Sequence, residues 1–281
     1  MTSSIRELFK YPIKSLAGIA CNELVIGDRG AQGDRRWMLV DENGRFITQR
    51  EHPGLCMLDV SLSDTGFRIR NRDGWHSSEE IQIPEMLPTG HEVRVSVWAD
   101  EVLALEASQQ INQYFSDVLS MQCRLVYMPE HSHRNADANY AGHGVLNSFS
   151  DGYPLLLIGS ASLDELNARM IRANETPIGW DRFRPNIVAE TNLAHCEDAW
   201  AELTIGNIQA RGVKLCSRCV FTTINQMDGT KSKEPLRTLA SYRNMGGKIM
   251  FGQNLVTGKG TIRKGDPIEI LVSGFPPNAK F

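Results

Sequence analysis

The sequence predicts a mainly β protein with a few helices, an α+β fold organised as two β-rich domains. Short runs of apolar residues that alternate with polar ones recur along the chain, and Gly, Asn and Asp mark the turns between them. Only three segments have helical periodicity. With 281 residues, 41% of them hydrophobic, the chain is long enough to bury a substantial core in each domain.

Residues 1–125 are predicted to form the N-terminal domain. The runs IRELFKYPIKS and CNELVIG are typical of strands, and RWMLVDENGRFIT predicts a hairpin because its Asn-Gly pair supplies positive φ at the turn. HEVRVSVWADEVLAL predicts a second hairpin, with its turn at Ala-Asp. A helix is predicted over 108–119 with its apolar residues on one face: Ile111, Tyr114, Phe115 and Leu119.

Residues 126–275 are predicted to form the second domain. Its polar start, 129–150, predicts a long loop, and long loops in compact proteins are often functional. YPLLLIG predicts a buried strand, and Ser162 with Glu165 predicts a capping box that begins a helix.

Further strands are predicted in FRPNIVAE and WAELTIGNIQARGVKLCSRCVFTTI, and Pro235 is predicted in the first turn of another helix. GTIRKGDPIEILV predicts a terminal hairpin about residues 264–266. Residues 276–281 predict a tail or the start of a linker.

Charge and composition narrow the functional classes. A net charge of −3 gives no overall basic field for nucleic acid, and the longest apolar run is too short to cross a bilayer. The N-terminus has no apolar leader segment. Six scattered cysteines indicate reduced thiols rather than a disulfide framework. The sequence therefore predicts a cytoplasmic protein with neither nucleic acid nor membrane as a partner.

The pair Cys216 and Cys219, in KLCSRCVF, admits several chemistries. Zinc normally requires four ligands, and only His195-Cys196 offers a further pair. A dithiol redox pair usually begins a helix, whereas the flanks here are β-type. A third possibility is one metal-bound thiolate with the cation Arg218 beside it. Both cysteines as ordinary buried strand residues is the fourth.

Cationic residues also follow or precede several predicted strands. Because the protein as a whole is acidic, such residues gathered in one place would make a local pocket for a small anionic cofactor that carries phosphate. The candidates, with their polar neighbours, are Lys14, Ser15, Arg35, Arg36, Arg182, Arg184 and Asn186.

Taken together, these segments resemble a known family. YPIKS, GDRRW, FRPNIV, CSRCVFTT, EPLRTLASYR, FGQNL and GTIRKGDPIEIL occur in the order found in MOSC-domain proteins, from about Ile5 to Leu271. The pattern is most similar to the branch that contains the mitochondrial amidoxime reducing component and the bacterial reductases of N-hydroxylated base analogues. The resemblance implies a MOSC β-barrel packed with an N-terminal β-rich MOSC-N domain.

The resemblance also implies a site: molybdopterin in a positively charged cleft, with Cys219 as the protein ligand to molybdenum. Cys216 is then expected to face elsewhere, because residues three apart on a strand point to opposite sides. Asp151 is implied near the metal and is our candidate for proton transfer, with an expected raised pKa. The implied cofactor-binding residues are Lys14, Ser15, Arg35, Gly152, Tyr153, Arg184, Asn186, Ser217, Arg218, Cys219 and Asn254. Gly152, Tyr153 and Asn254 differ from the animal members and look like the bacterial form.

The implied function is the reduction of small N-hydroxylated substrates such as hydroxylamines, amidoximes and N-hydroxylated bases. No cysteine follows Cys219, so we expect no iron–sulfur cluster in this chain. Electrons would come from an external donor, either a ferredoxin-type protein or a C-terminal domain missing here. The alternative is a non-catalytic carrier of molybdopterin or sulfur that uses Cys219, and a third possibility is a zinc-stabilised binding module.

Overall fold

The computed structural model describes residues 3–72 and 79–275. Strands dominate it, which confirms the mainly β class. The strands of the first half are β1 (Ser3–Lys10), β2 (Ile19–Cys21), β3 (Glu23–Gly27), β4 (Gly30–Ala31), β5 (Trp37–Val40), β6 (Leu58–Ser63), β7 (Gly66–Asn71), β8 (Glu80–Pro84), β9 (Glu92–Val97), β10 (Asp100–Glu106) and β11 (Arg124–Tyr127).

The second half continues with strands and contains most of the helices. Its strands are β12 (Leu155–Gly159), β13 (Ile187–Glu190), β14 (Trp200–Ile205), β15 (Ile208–Ser217), β16 (Asn244–Met245), β17 (Lys248–Thr257), β18 (Gly260–Arg263) and β19 (Pro267–Ser273). The α-helices of the chain are α1 (Gln109–Leu119), α2 (Ala138–Ala141), α3 (Ser160–Arg172) and α4 (Leu236–Ala240). Short 3₁₀ turns cover Pro53–Met57, Trp180–Arg182, Cys196–Ala199 and Val220–Thr223.

Seven strands close into a barrel in the order β12, β13, β1, β19, β14, β15, β17, because β12 also pairs with β17. Closure leaves no open edge on those strands and buries one apolar core inside. The first strand of the chain, β1, lies between β13 and β19, and its Leu8 is fully buried in that core. The predicted boundary between residues 125 and 126 stays a prediction, but the barrel takes a strand from each side of it.

Apart from β2, which pairs with β1, and β3 and β4, which form a sheet with β18, the other strands of the first half form a four-stranded sheet (β5, β11, β10, β9) and a three-stranded sheet (β6, β7, β8). Helix α1 packs on them as predicted, with Ile111, Tyr114 and Phe115 buried. The Ser108 hydroxyl caps the helix by accepting a hydrogen bond from the Ile111 N–H. Apolar periodicity thus predicted this element well, and the Ser108 cap is a finding of the structure.

The capping box predicted for the next helix is wrong. Helix α3 begins two residues earlier, at Ser160, and Gly159 is its N-cap. Ser162 is buried inside the first turn, where its hydroxyl donates to the Glu197 carboxylate at 2.7 Å. Glu165 instead pairs with Arg169, one turn further along the helix. The Ser162 hydroxyl therefore bonds to Glu197, which is distant in sequence, and does not cap the helix.

The predicted terminal hairpin is also wrong. A turn exists, since the Asp266 N–H donates to the Arg263 carbonyl and Gly265 has φ of 87°. Its two arms, however, pair elsewhere: β18 with β3, and β19 with β14 and β1. The turn chemistry was therefore real, but barrel closure decided the strand partners.

The two predicted hairpins of the first half differ in outcome. The β9–β10 hairpin forms, but its turn lies at Trp98 and Ala99, one residue before the predicted Ala-Asp. In the other, the turn to Gly44 forms, but the return arm makes a single bridge to β5, between Phe46 and Val40, and another to β9, between Arg45 and Ser96. Strand β11 takes the ladder position beside β5.

Two further expectations concern the chain as a whole. The tail predicted at 276–281 lies outside the described residues. Within 3–72 and 79–275, no helix combines the length and apolar character needed to span a bilayer.

Candidate functional site

A cavity of about 310 Å³ opens where loops of both halves meet the ends of barrel strands. Its wall contains every residue that the resemblance implies for the site, and their roles stay predictions. These residues are Lys14, Ser15, Arg35, Asp151, Gly152, Tyr153, Arg184, Asn186, Ser217, Arg218, Cys219 and Asn254. The sequence separates the first of them from the last by most of the chain, so only the barrel brings them together.

Three of these wall residues have left-handed backbone conformations: Ser15 (φ 72°), Arg35 (φ 47°) and Arg184 (φ 57°). Residues other than Gly rarely adopt this backbone conformation, and those that do are concentrated at ligand-binding sites. Each of the three stands outside the strands, in a connection that lines the cavity.

Arg35 and Arg184 form a half-buried cationic part of the wall, beside the buried Lys14. The Arg35 guanidinium donates to Asp34 at 2.5 Å, to the Asn186 amide oxygen at 3.0 Å and to the Arg184 carbonyl at 3.1 Å. Both guanidinium groups lie within 4.5 Å of the centre of the Tyr11 ring. Burial, with a further contribution from Arg35, lowers the pKa of Arg184 to about 10.

The thiol end of the cavity contains both cysteines of the pair. Cys219 follows β15 and is exposed to the cavity, at the start of the 3₁₀ turn Val220–Thr223. Cys216 lines the same cavity, so the expectation that it faces elsewhere is wrong. The alternation argument failed because β15 ends at Ser217, before it reaches Cys219. Arg218 lies 2.9 Å from the Cys216 sulfur and donates to the Phe183 carbonyl.

Asp151 stands at the opening, with its side chain 70% exposed. The Lys14 ammonium is 2.6 Å from its carboxylate, and the Trp98 indole N–H is 3.3 Å away. Desolvation alone would raise the pKa of Asp151, but the Lys14 charge and hydrogen bond outweigh it, so the pKa is lowered. The raised pKa expected from the sequence is therefore wrong. Burial lowers the pKa of Lys14 in spite of Asp151.

Several wall residues were not predicted. Lys214 could have been predicted from the sequence, because it stands two positions before Cys216 on the same strand. Its ammonium lies 3.8 Å from the centre of the Tyr140 ring. Nothing in the sequence pointed to Arg50 as a wall residue. Two other candidate cations do not line the cavity: Arg36 donates to the Met128 carbonyl, and Arg182 is buried elsewhere.

The donor groups of this wall fit an anionic ligand. Buried nitrogen atoms are almost always hydrogen-bonded, yet Arg184 Nη2 and Arg218 Nε have no acceptor among the residues described. A phosphate or another oxyanion would satisfy both. For zinc the fit is poor, since the described parts of the chain bring no three His, Cys, Asp or Glu side chains into a metal-binding group.

Comparison with known proteins defines the class. The model of the MOSC N-terminal beta barrel domain matches residues 2–122, and the model of the MOSC domain matches residues 146–269. Together with the relatives below, these matches show that the chain belongs to the MOSC-domain family, related to the mitochondrial amidoxime-reducing components.

The individual relatives include the mitochondrial amidoxime-reducing component 1 of Mus musculus, which is 32% identical over 95% of this chain and 82% of its own length. The protein of the same name from Homo sapiens is 31% identical over 95% of this chain and 83% of its own length. A molybdenum cofactor sulfurase from Oryza sativa subsp. japonica is 29% identical over 88% of this chain, which corresponds to 32% of the sulfurase.

Proposed function

We propose that this chain is a molybdenum-cofactor-dependent oxidoreductase that reduces N-hydroxylated compounds: hydroxylamines, amidoximes and N-hydroxylated bases. The observation that carries this proposal is the convergence of buried, partly unsatisfied cations and an exposed thiol on one cavity. The amidoxime-reducing components among the relatives support it at the level of the family.

The wall residues divide into two roles toward the cofactor. Arg35, Arg184 and Arg218 would hold the anionic pterin phosphate, because their guanidinium groups form bidentate, charge-assisted hydrogen bonds to phosphate. Cys219 would provide the thiolate, a soft ligand for a heavy metal. When bound, the cofactor supplies the two-electron chemistry that removes an oxygen atom from nitrogen.

Proton supply is the task left to the protein. Reduction of an N–OH group to N–H and water consumes two protons for every two electrons. Lys14 is the better donor at this opening: burial lowers the pKa of its ammonium, which makes it a stronger acid, while Asp151 stays ionised and orients it at 2.6 Å. We therefore reverse the roles expected from the sequence, with Lys14 as the acid and Asp151 as its positioning partner.

The test uses the full chain purified from a host supplied with molybdenum. Elemental analysis and pterin fluorescence should show about one cofactor per chain. With a reduced viologen, or with a ferredoxin and its reductase, the protein should reduce an amidoxime. A nicotinamide cofactor alone should give no turnover, because the sequence has neither a G-x-G-x-x-G loop nor cysteines after Cys219 for a cluster. Cofactor-loaded protein that reduces no N-hydroxylated compound would overturn the proposal.

A second function, a carrier of molybdopterin or sulfur, is favoured by one observation: Cys219 is exposed and thus open to a protein that would accept its cargo. The sulfurase relative is consistent with it. The amidoxime assay above distinguishes the two functions, because a carrier would hold or transfer cofactor without turning over an amidoxime.

A further inference from the structure

The rim of the cavity carries an exposed aromatic side chain that the mechanism above does not use. Trp98 is 49% exposed at the two-residue turn between β9 and β10. Its φ of 58° is one that hairpin turns usually assign to Gly or Asn, and a bulky aromatic residue there is locally unfavourable. The fold thus keeps a large indole at a position whose backbone favours a small residue.

The surroundings of Trp98 hold the indole at the cavity opening. The Phe46 ring packs against it with centroids 5.1 Å apart, and the Arg50 guanidinium lies 4.5 Å from its centroid. Its N–H reaches Asp151 at 3.3 Å. Arg50 and Asp151 both line the cavity, so Trp98 contacts two wall residues although it does not line the cavity itself. Roughly half of its surface remains open beside the route into the cavity.

We propose that Trp98 is a specificity-determining residue: an aromatic platform at the opening, on which planar aromatic N-hydroxylated substrates stack before their N–O group enters. This inference rests on the proposed function and narrows its substrate class. A flat ring gains stacking contacts on an indole that Arg50 and Phe46 already hold in place, and a small aliphatic substrate gains none. The platform therefore favours aromatic over aliphatic N-hydroxylated compounds.

The experiment compares two substrates that carry the same reacting group, benzamidoxime and acetamidoxime, on cofactor-loaded full-length protein with a reduced viologen. Trp98→Gly removes the indole and suits the left-handed backbone, so the turn is kept. Trp98→Phe keeps a ring but removes the indole N–H. Leu62→Ala, at an exposed apolar residue that does not line the cavity, is the matched control.

We expect Trp98→Gly to lower kcat/KM for benzamidoxime about tenfold, mostly through KM, since stacking of one ring on an aromatic side chain is worth a factor of this order. Acetamidoxime should change by less than about twofold. Trp98→Phe should resemble the wild type, and so should Leu62→Ala. Binding of benzamidoxime to unreduced protein, measured by calorimetry, should weaken by the same factor in Trp98→Gly only.

Two results would overturn the platform. Equal losses on both amidoximes, in both Trp98 variants, would assign Trp98 a positioning role through its hydrogen bond to Asp151. No loss in any variant would show that the indole does not touch the substrate. The proposed function fails separately, if the wild-type protein reduces neither amidoxime, and calorimetry then still reports whether Trp98 binds an aromatic ring.

Discussion

Both cysteines of the pair line the cavity, Cys219 exposed and Cys216 half-buried, and their chemistry is expected to differ. Cys219→Ser should lose molybdenum and more than about 100-fold of activity, since loss of a ligand should exceed the effect of changing its outer-shell partners. Cys216→Ser should keep its molybdenum and stay within about fivefold of wild-type activity, because a hydroxyl can still accept the Arg218 N–H and the exchange of one acceptor for another costs about 1 kcal/mol or less. Metal analysis and steady-state kinetics measure both. Equal losses would indicate a site that uses two thiols.

Another single residue should make stability depend on pH. Burial, followed by the charges of Arg243 and Arg169, lowers the pKa of His195 to about 4 from 6.5. Between these values the unfolded chain binds more protons than the folded one, so the free energy of unfolding falls as the pH falls from about 6.5 to 4. The slope is at most about 1.4 kcal/mol per pH unit.

His195→Asn should remove most of that dependence, since Asn tolerates the left-handed backbone at this position (φ 61°). Urea unfolding of both proteins at pH 7 and pH 4.5 measures it. The buried carboxyl groups Glu197 and Asp198, whose pKa values burial raises, are common to both proteins and cancel in the comparison. Leu193→Ala, at an exposed residue nearby, should keep the wild-type pH dependence, and an unchanged slope in His195→Asn would contradict the assignment.

At the scale of elements, β15 passes its neighbours too closely for any side chain at Gly212. A Cβ there would lie 2.2 Å from the Trp200 carbonyl oxygen and 2.2 Å from the Gln253 amide nitrogen. Gly212→Ala should therefore destabilise the protein by about 2–3 kcal/mol, because the backbone of β14 must move. Thermal or denaturant unfolding measures the change.

Gly274→Ala is the matched control for that substitution. A Cβ at Gly274 meets no atom of the described residues within 4 Å, and the backbone is outside the left-handed region. Its stability should stay within about 0.5 kcal/mol of the wild type. If both substitutions were neutral, the barrel would be looser at β15 than the structure indicates.

For the whole molecule, the barrel depends on the start of the chain. Strand β1 fills the gap between β13 and β19, and Leu8, Leu24 and Ile26 belong to the barrel core. A fragment of residues 126–281 should therefore fail to unfold cooperatively, since it leaves two open strand edges and an incomplete core. Joining residues 1–34 to it through a flexible linker should restore a cooperative transition. Cooperative unfolding of the fragment alone would instead show an independent second domain.

Much of the local structure was predictable from sequence because its causes are local. Alternation predicted the β9–β10 hairpin, and apolar spacing predicted helix α1. The mainly β class follows from the same patterns. The order of short segments, by resemblance, predicted a set of residues that the structure brings to one cavity.

The tertiary structure decided what depends on groups distant in sequence. Barrel closure sent β18 and β19 to different partners, and a remote carboxylate, Glu197, claimed the Ser162 hydroxyl. Cys216 and Cys219 line the same cavity because strand β15 ends between them, so strand alternation does not apply. The ammonium of Lys14 lowers the pKa of Asp151, whereas desolvation alone would raise it. Turn chemistry and periodicity act over a few residues, whereas strand pairing and electrostatics depend on which groups the folded chain brings into contact.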